Sequence, residues 1–244
     1  MADPTRRPRS VTAALLTDLL TEQLLAWQAE TSTTDPLHIV DLGGGTGGLA
    51  AGLAGHGHRV TVVDPSPDAL ASLDRRAADA GLGHRLTGLL GDAAELVDLI
   101  GAGQADVVVC HSVLEFVDDP AEALAAIAAT LRPVGLLSLL VGQRPAAVLA
   151  HALSGHLGAA RAVLADAHRF DRSMIINLVG QSGFQVVAVH GIGAVASLVH
   201  ESLLNSQADA WSELHALERD ISSVPDFQTM APQLHVSARR ADVG

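Results

Sequence analysis

Two hydrophobic rhythms alternate along this chain. Short runs rich in Val, Ile and Leu end in an acid or a glycine. Longer stretches between them space Leu and Ala at helical intervals. Ser10 to Glu30 reads as an amphipathic helix with Leu15, Leu16, Leu19, Leu20, Leu24 and Leu25 on one broad face. Leu37 to Val40 is a strand ending at Asp41, and a glycine-rich turn and a helix from Leu49 to His56 follow. Arg59 to Asp64 is a second strand. Pro65-Ser66-Pro67 then breaks the chain, and Ser66 is placed to cap a helix running to about Ala80. Arg85 to Leu90 forms a third strand. Asp106 to Cys110 forms a fourth, apolar enough to be buried on both faces.

Beyond it the pattern predicts a helix over Ala121 to Leu131 and a strand over Gly135 to Val141. Ala146 to Ala167 is helix-prone, and 142–170 reads as a lid or insertion. A helix from Asp171 to Gly180, a strand from Phe184 to His190, a helix from Ala208 to Ile221 and a last strand from Leu234 to Arg240 complete the chain. Alternating β and α elements predict an α/β fold with a doubly wound, mostly parallel sheet. The late strand, helix and final strand predict an antiparallel addition at its edge. The length, 244 residues, suits a single domain with 1–35 as an N-terminal helical extension.

Composition narrows the chemistry. Aromatic residues are scarce, so aliphatic side chains must build the core. The net charge of −12 repels polyanions at long range. The Arg pairs 6/7, 75/76 and 239/240 are read as caps or solvated ends. There is no lysine and no tyrosine. That removes the P-loop lysine, Schiff-base chemistry and the Tyr/Lys pair of short-chain dehydrogenases. No G-x-S-x-G, H-E-x-x-H or Cys/His cluster appears, so neither serine hydrolysis nor a metal site is expected. Cys110 lies in an apolar run and reads as a buried thiol in a reducing compartment. Arg6-Arg7-Pro8-Arg9 before an apolar stretch is similar to the start of a signal peptide. Thr17, Asp18, Thr21 and Glu22 interrupt that stretch. A cytoplasmic protein with no membrane partner is expected.

The chemistry concentrates at Asp41-Leu42-Gly43-Gly44-Gly45-Thr46-Gly47-Gly48. Strand, glycine turn and helix bring backbone N–H groups close to a nucleotide-like ligand, where a side chain would block the approach. Gly43, Gly45 and Gly48 fit the spacing of dinucleotide binders. Asp41, Gly43, Gly45 and Gly47 fit that of S-adenosylmethionine binders. The turn alone leaves both readings open, along with a purely structural one. In doubly wound sheets ligands bind where the strands end. Asp64 stands about twenty residues past the glycines, in place to accept ribose hydroxyls or, in the bland reading, to make a turn before Pro65. Asp92 could accept an adenine amine with Ala93 offering its N–H, or could cap a helix. Asp41 could position the turn or, through water, the ligand's amino group, or be no more than a strand-end acid. His111 could contact the cofactor, orient an acceptor, take a proton, or be a half-buried histidine without a direct role. One of Asp118 and Asp119 is expected to cap the helix after Pro120.

Taken together, these features resemble the class I S-adenosylmethionine-dependent methyltransferases, over roughly Leu37 to Arg240. The subgroup most similar is that of the bacterial tRNA 5-carboxymethoxyuridine methyltransferases. The segments that carry the likeness are Asp41 to Gly47, Gly57 to Val60, His111 to Pro120, Leu131 to Gly135 and Leu234 to Arg239. The resemblance implies S-adenosyl-L-methionine as cofactor, held by Asp41, Gly43, Gly44, Gly45, Asp64, Asp92, Ala93 and His111. An N-terminal arginine such as Arg9 is a further candidate. No lysine-rich stretch appears around Gly155 to Arg169 and the chain is acidic, whereas phosphate contacts dominate nucleic-acid affinity. The expected acceptor is therefore a small molecule methylated at oxygen or nitrogen, with modified tRNA as the alternative. A nicotinamide oxidoreductase or a non-catalytic cofactor binder are the readings of another class.

Overall fold

The computed structural model describes residues 10–166, 169–200, 202, 204 and 209–241. Seven strands form one sheet: β1 (His38–Leu42), β2 (Arg59–Asp64), β3 (Leu86–Leu90), β4 (Ala105–His111), β5 (Leu131–Gly142), β6 (Phe184–Ile192) and β7 (Gln233–Arg240). Their order is β3-β2-β1-β4-β5-β7-β6, mostly parallel with the C-terminal strand antiparallel. Winding runs outward from β1 through β2 to β3, then returns to β4 on the other side of β1. The ends of β1 and β4 thus mark the switch point where such sheets take ligands.

β1 is buried along its whole length and β4 to its last residue, as strands covered on both faces must be. Their register pairs Asp41 with Val109 and Leu42 with Cys110, so the acid and the thiol lie one step apart near the strand ends, on opposite faces of the sheet. At the opposite end, the buried Asp106 accepts the His38 amide (2.8 Å) and an Arg132 Nη1 hydrogen (2.6 Å), which ties β1, β4 and β5 together.

Among the described residues, the helices are α1 (Val11–Thr31), α2 (Gly48–Gly55), α3 (Pro67–Asp79), α4 (Leu96–Ile100), α5 (Pro120–Thr130), α6 (Arg144–Leu153), α7 (Leu157–Ala165), α8 (Arg172–Gln181), α9 (Ala210–Ser222) and α10 (Pro225–Met230). Helix starts follow local chemistry. Ser66 caps α3 by accepting the Ala69 amide, with Pro67 in the first turn. Asp119 caps α5 by accepting the Ala121 and Glu122 amides, again before a proline.

The chain divides into two compact units. One gathers α1 with Gly142–Arg172 and Val189–His235. The other contains Ser32–Val141, Ser173–Ala188 and the strand from Val236 onward. Within the first, the buried Glu218 of α9 accepts the amides of Gly193, Val195 and Ala196 and fixes the chain that leaves β6. His215 and Arg219 of α9 meet Asp18 of α1, and Arg219 also pairs with Glu22.

Three expectations need correction. Leu25 is 61 % exposed, and Trp27 fills the α1 face in its place. The helix-prone stretch from Ala146 does form helices, as α6 and α7, with Gly155 at φ 77° turning the chain between them. β5 begins at Leu131, before the expected Gly135. Leu131 pairs with Ala105, the chain detours through Val134 at φ 56°, and pairing resumes at Leu136 with Val107. The short helices α4 and α10 have no counterpart in the sequence pattern. No helix among the described residues is long and apolar enough to cross a membrane.

Candidate active site

The glycine turn is shaped by what lies behind it. Gly43, Gly45 and Gly47 all have positive φ, at 70°, 56° and 71°, a region costly for residues with a Cβ. A Cβ on Gly43 would fall 2.4 Å from Val113 Cγ2, and one on Gly47 would fall 2.0 Å from Leu73 Cδ1. A Cβ on Gly44 would fall 2.5 Å from Asp41 Oδ2. The turn is pinned from outside by Arg76 of α3, whose Nε donates to the Thr46 carbonyl at 2.9 Å.

Asp64 ends β2 at the wall of a cleft of about 550 Å³. Its Oδ2 accepts the Gly45 amide at 2.8 Å and its Oδ1 accepts the Ser66 amide at 2.9 Å. The turn expected of the bland reading is therefore real, and it does not exhaust the carboxylate. An ionised carboxylate offers about four lone-pair sites, so two remain for a ligand's hydroxyls. Asp92, exposed, and Ala93, buried, line the same cleft with Gly43, Pro65, Ser112 and Val113. Asp92 Oδ1 accepts the Ala94 amide at 2.8 Å, which makes a turn; α4 itself begins after Glu95. Ser112 holds φ 55°, an uncommon conformation for a residue with a side chain, where β4 opens onto the cleft. Asp118, Asp119 and Glu122 complete an acidic rim.

The structure thus brings Gly43, Asp64, Asp92 and Ala93 to one cleft. Asp41 and His111 are placed differently. Asp41 is buried beneath Gly44, and burial, with the Asp64 charge adding to it, pushes its carboxyl up to about 7. His111 Nε2 is hydrogen bonded to Ser138 Oγ of β5 at 2.9 Å. Burial pulls its pKa down to about 4, so the ring is neutral at physiological pH. The Cys110 thiol beside it is fully buried, and burial drives its pKa up, with Glu115 and Asp41 reinforcing the shift. Arg9 lies outside the described residues. Among the described residues no cluster of His, Cys, Asp and Glu is arranged for a metal ion. Sequence reasoning missed Ser112; nothing in its residue type signals a left-handed backbone.

A sheet of this order, a glycine turn at the switch point and an acid at the end of β2 are shared with Rossmann-like methyltransferases. Residues 40–139 match the family model described as "Methyltransferase domain". That match, with the relatives that follow, supports a class I S-adenosylmethionine-dependent methyltransferase with S-adenosylmethionine as its cofactor. It is similar to the tRNA 5-carboxymethoxyuridine methyltransferase of Escherichia coli, 24% identical over 84% of this chain and 80% of that protein. A ubiquinone biosynthesis O-methyltransferase of Burkholderia pseudomallei is 28% identical over 63% of this chain and 67% of that protein. Among solved structures, a putative sarcosine dimethylglycine methyltransferase from Galdieria sulphuraria shares the fold. Its TM-score is 0.62 at 16% identity, over 92% of this chain and 86% of that one.

The cleft fits the cofactor on its own evidence. Side chains are missing from the turn where a Cβ would strike its surroundings, and Asp64 stands at the cleft wall with acceptor capacity left over. The cofactor supplies a sulfonium methyl group, electrophilic without further activation. The chain's work is then to bind, orient and exclude water.

Proposed function

We propose that this methyltransferase transfers a methyl group to oxygen or nitrogen of a small molecule. The observation that carries this reading is the charge of the cleft. Asp64, Asp92, Asp118, Asp119 and Glu122 line it, and among the described residues neither arginine nor histidine does. A site for an RNA backbone needs cations facing the phosphates. Five carboxylates around one opening do the reverse.

In this reading Asp64 accepts both ribose hydroxyls of the cofactor. Asp92 and the Ala93 N–H take the adenine edge, and the backbone of Gly43, Gly44 and Gly45 approaches the ligand directly. Asp41 holds the turn from below, and His111 serves the amino-acid end of the cofactor. A carboxylate acceptor would need no base; a hydroxyl acceptor would, and His111, where β4 ends, is the candidate to take that proton. The chain acts in the cytoplasm, where the lone thiol stays reduced.

The second reading, methylation of a modified tRNA uridine, is favoured by the similarity over most of the chain to the Escherichia coli enzyme. Calorimetry and filter binding separate the two. The expected result is S-adenosylmethionine binding with little response to NAD. No tRNA binding tighter than the weak non-specific range, roughly 10⁻⁴–10⁻⁶ M, is expected at physiological salt. Tighter tRNA binding with a steep salt slope would replace the first reading by the second. A screen of candidate small acceptors with labelled cofactor then identifies the substrate.

A further inference from the structure

Helices α6 and α7 form a hairpin with an unusual surface. No residue of α6 is buried, and of α7 only Ala160 is. Leu149, Leu153, Leu157 and Leu164 are exposed by 54, 81, 65 and 63 %. Single exposed leucines need no explanation; four within one short hairpin do. Leu149 and Leu153 stand one turn apart on α6. Leu157, Arg161 and Leu164 follow one stripe of α7.

The charge pattern is as distinctive. In a chain of net charge −12, no Asp or Glu occurs between Glu122 and Asp166. Arg144 is engaged by Asp171 at 2.7 Å, and Arg161 stands exposed in the leucine stripe of α7. An apolar helix face with an arginine in it and no carboxylate beside it has the chemistry of an interfacial helix. Leucines enter the acyl boundary while the guanidinium reaches back to the phosphates. The absence of acids matters because the rest of this chain would be repelled by an anionic surface.

We propose that the α6–α7 hairpin docks on the surface of a phospholipid bilayer. The chain would be held there peripherally, by Leu149, Leu153, Leu157 and Leu164, with Arg161 at the level of the phosphates. The contact requires no spanning helix, so it is compatible with the lack of one among the described residues. It departs from the expectation of no membrane partner, because the exposure of these leucines is a property of the folded chain. It also stands apart from the acceptor's identity.

Vesicle co-sedimentation of the full chain tests it. Phosphatidylcholine vesicles are compared with vesicles in which about one-third of the lipid is phosphatidylglycerol. The parent should pellet with both, with at least roughly twice the bound fraction on the anionic vesicles. L153D/L157D should reduce binding to the vesicle-free background, and R161E should remove the preference for phosphatidylglycerol. Both variants should keep the parent's circular dichroism and cofactor affinity, since these positions are exposed. Failure of the parent to pellet with either vesicle would overturn the proposal. So would binding that L153D/L157D leaves unchanged. A dimer in sedimentation velocity that L153D/L157D dissolves, without vesicle binding by the parent, would assign the face to a second copy instead.

Discussion

Asp41 and Asp64 occupy the same position in the pattern, each the acid at or near the end of a buried parallel strand, and both are buried, yet their surroundings differ. Asp64 receives two backbone N–H groups and still faces a cleft. Asp41 lies sealed under Gly44, and burial pushes its carboxyl up to about 7. A carboxylate that receives two amide donors at the wall of a cleft still has acceptor positions to offer hydroxyls. A carboxyl without solvent resists ionisation and is held beneath the turn. The residue type is shared; the function follows from what the neighbouring backbone donates.

The largest expected effect concerns Asp41. Its folded pKa, about 7, lies above the ordinary value of 3.8. The folded state therefore holds a proton that the unfolded state releases, and stability falls as pH rises between those values. The full penalty is on the order of 4 kcal/mol, reached above pH 7. Asp41→Asn should abolish that fall. Denaturant titrations of parent and variant from acid to pH 8 check it. Parallel stability curves would mean that Asp41 ionises normally and that the contrast with Asp64 is false.

Next in size is Gly44→Ala. The added methyl would meet the Asp41 carboxyl at 2.5 Å, and displacing a packed group costs about 1–3 kcal/mol. Most of that cost should vanish when Asp41 is also Ala, and a double-mutant cycle on melting curves reads the coupling. Strict additivity would show that the two residues do not press on one another.

Asp64→Ala should weaken S-adenosylmethionine binding at least about tenfold, near 1.4 kcal/mol, with the fold retained. Calorimetry is the measurement. Unchanged affinity would reduce Asp64 to the turn it makes with Ser66.

The smallest effect tests the neighbouring strand end. Ser138→Ala removes one hydrogen-bond partner of His111 and should cost about 1 kcal/mol of stability. In the parent, kcat should show no step assignable to His111 between pH 5 and 8, because its pKa lies near 4. A limb in that range that Ser138→Ala displaces would instead make His111 a titrating participant.

Much of this was legible in the residues. The apolar runs of β1 and β4, the proline-marked starts of α3 and α5, and the glycine turn with Asp64 are all set by local rules, and local rules are written in order along the chain. What escaped depended on distant partners. Nothing near Leu25 says that Trp27 takes its place in the core, and although a glycine turn after Asp41 was legible, its packing against the carboxyl and Val62 was not. The detour at Val134 is fixed by pairing with β4, and the aim of His111 by a serine on β5. Hairpin exposure depends on which surfaces the rest of the chain does not cover.

Cys110 carries one more consequence. It is the chain's lone thiol, it sits on the central strand, and no solvent reaches it. Labelling reagents can therefore attack only molecules whose sheet has opened around β4, so the alkylation rate counts those rare excursions directly. Any ligand that binds only the closed form slows that clock in proportion to its occupancy. The protein thus carries an internal stopwatch for its own breathing, at the strand that ends beside the cleft.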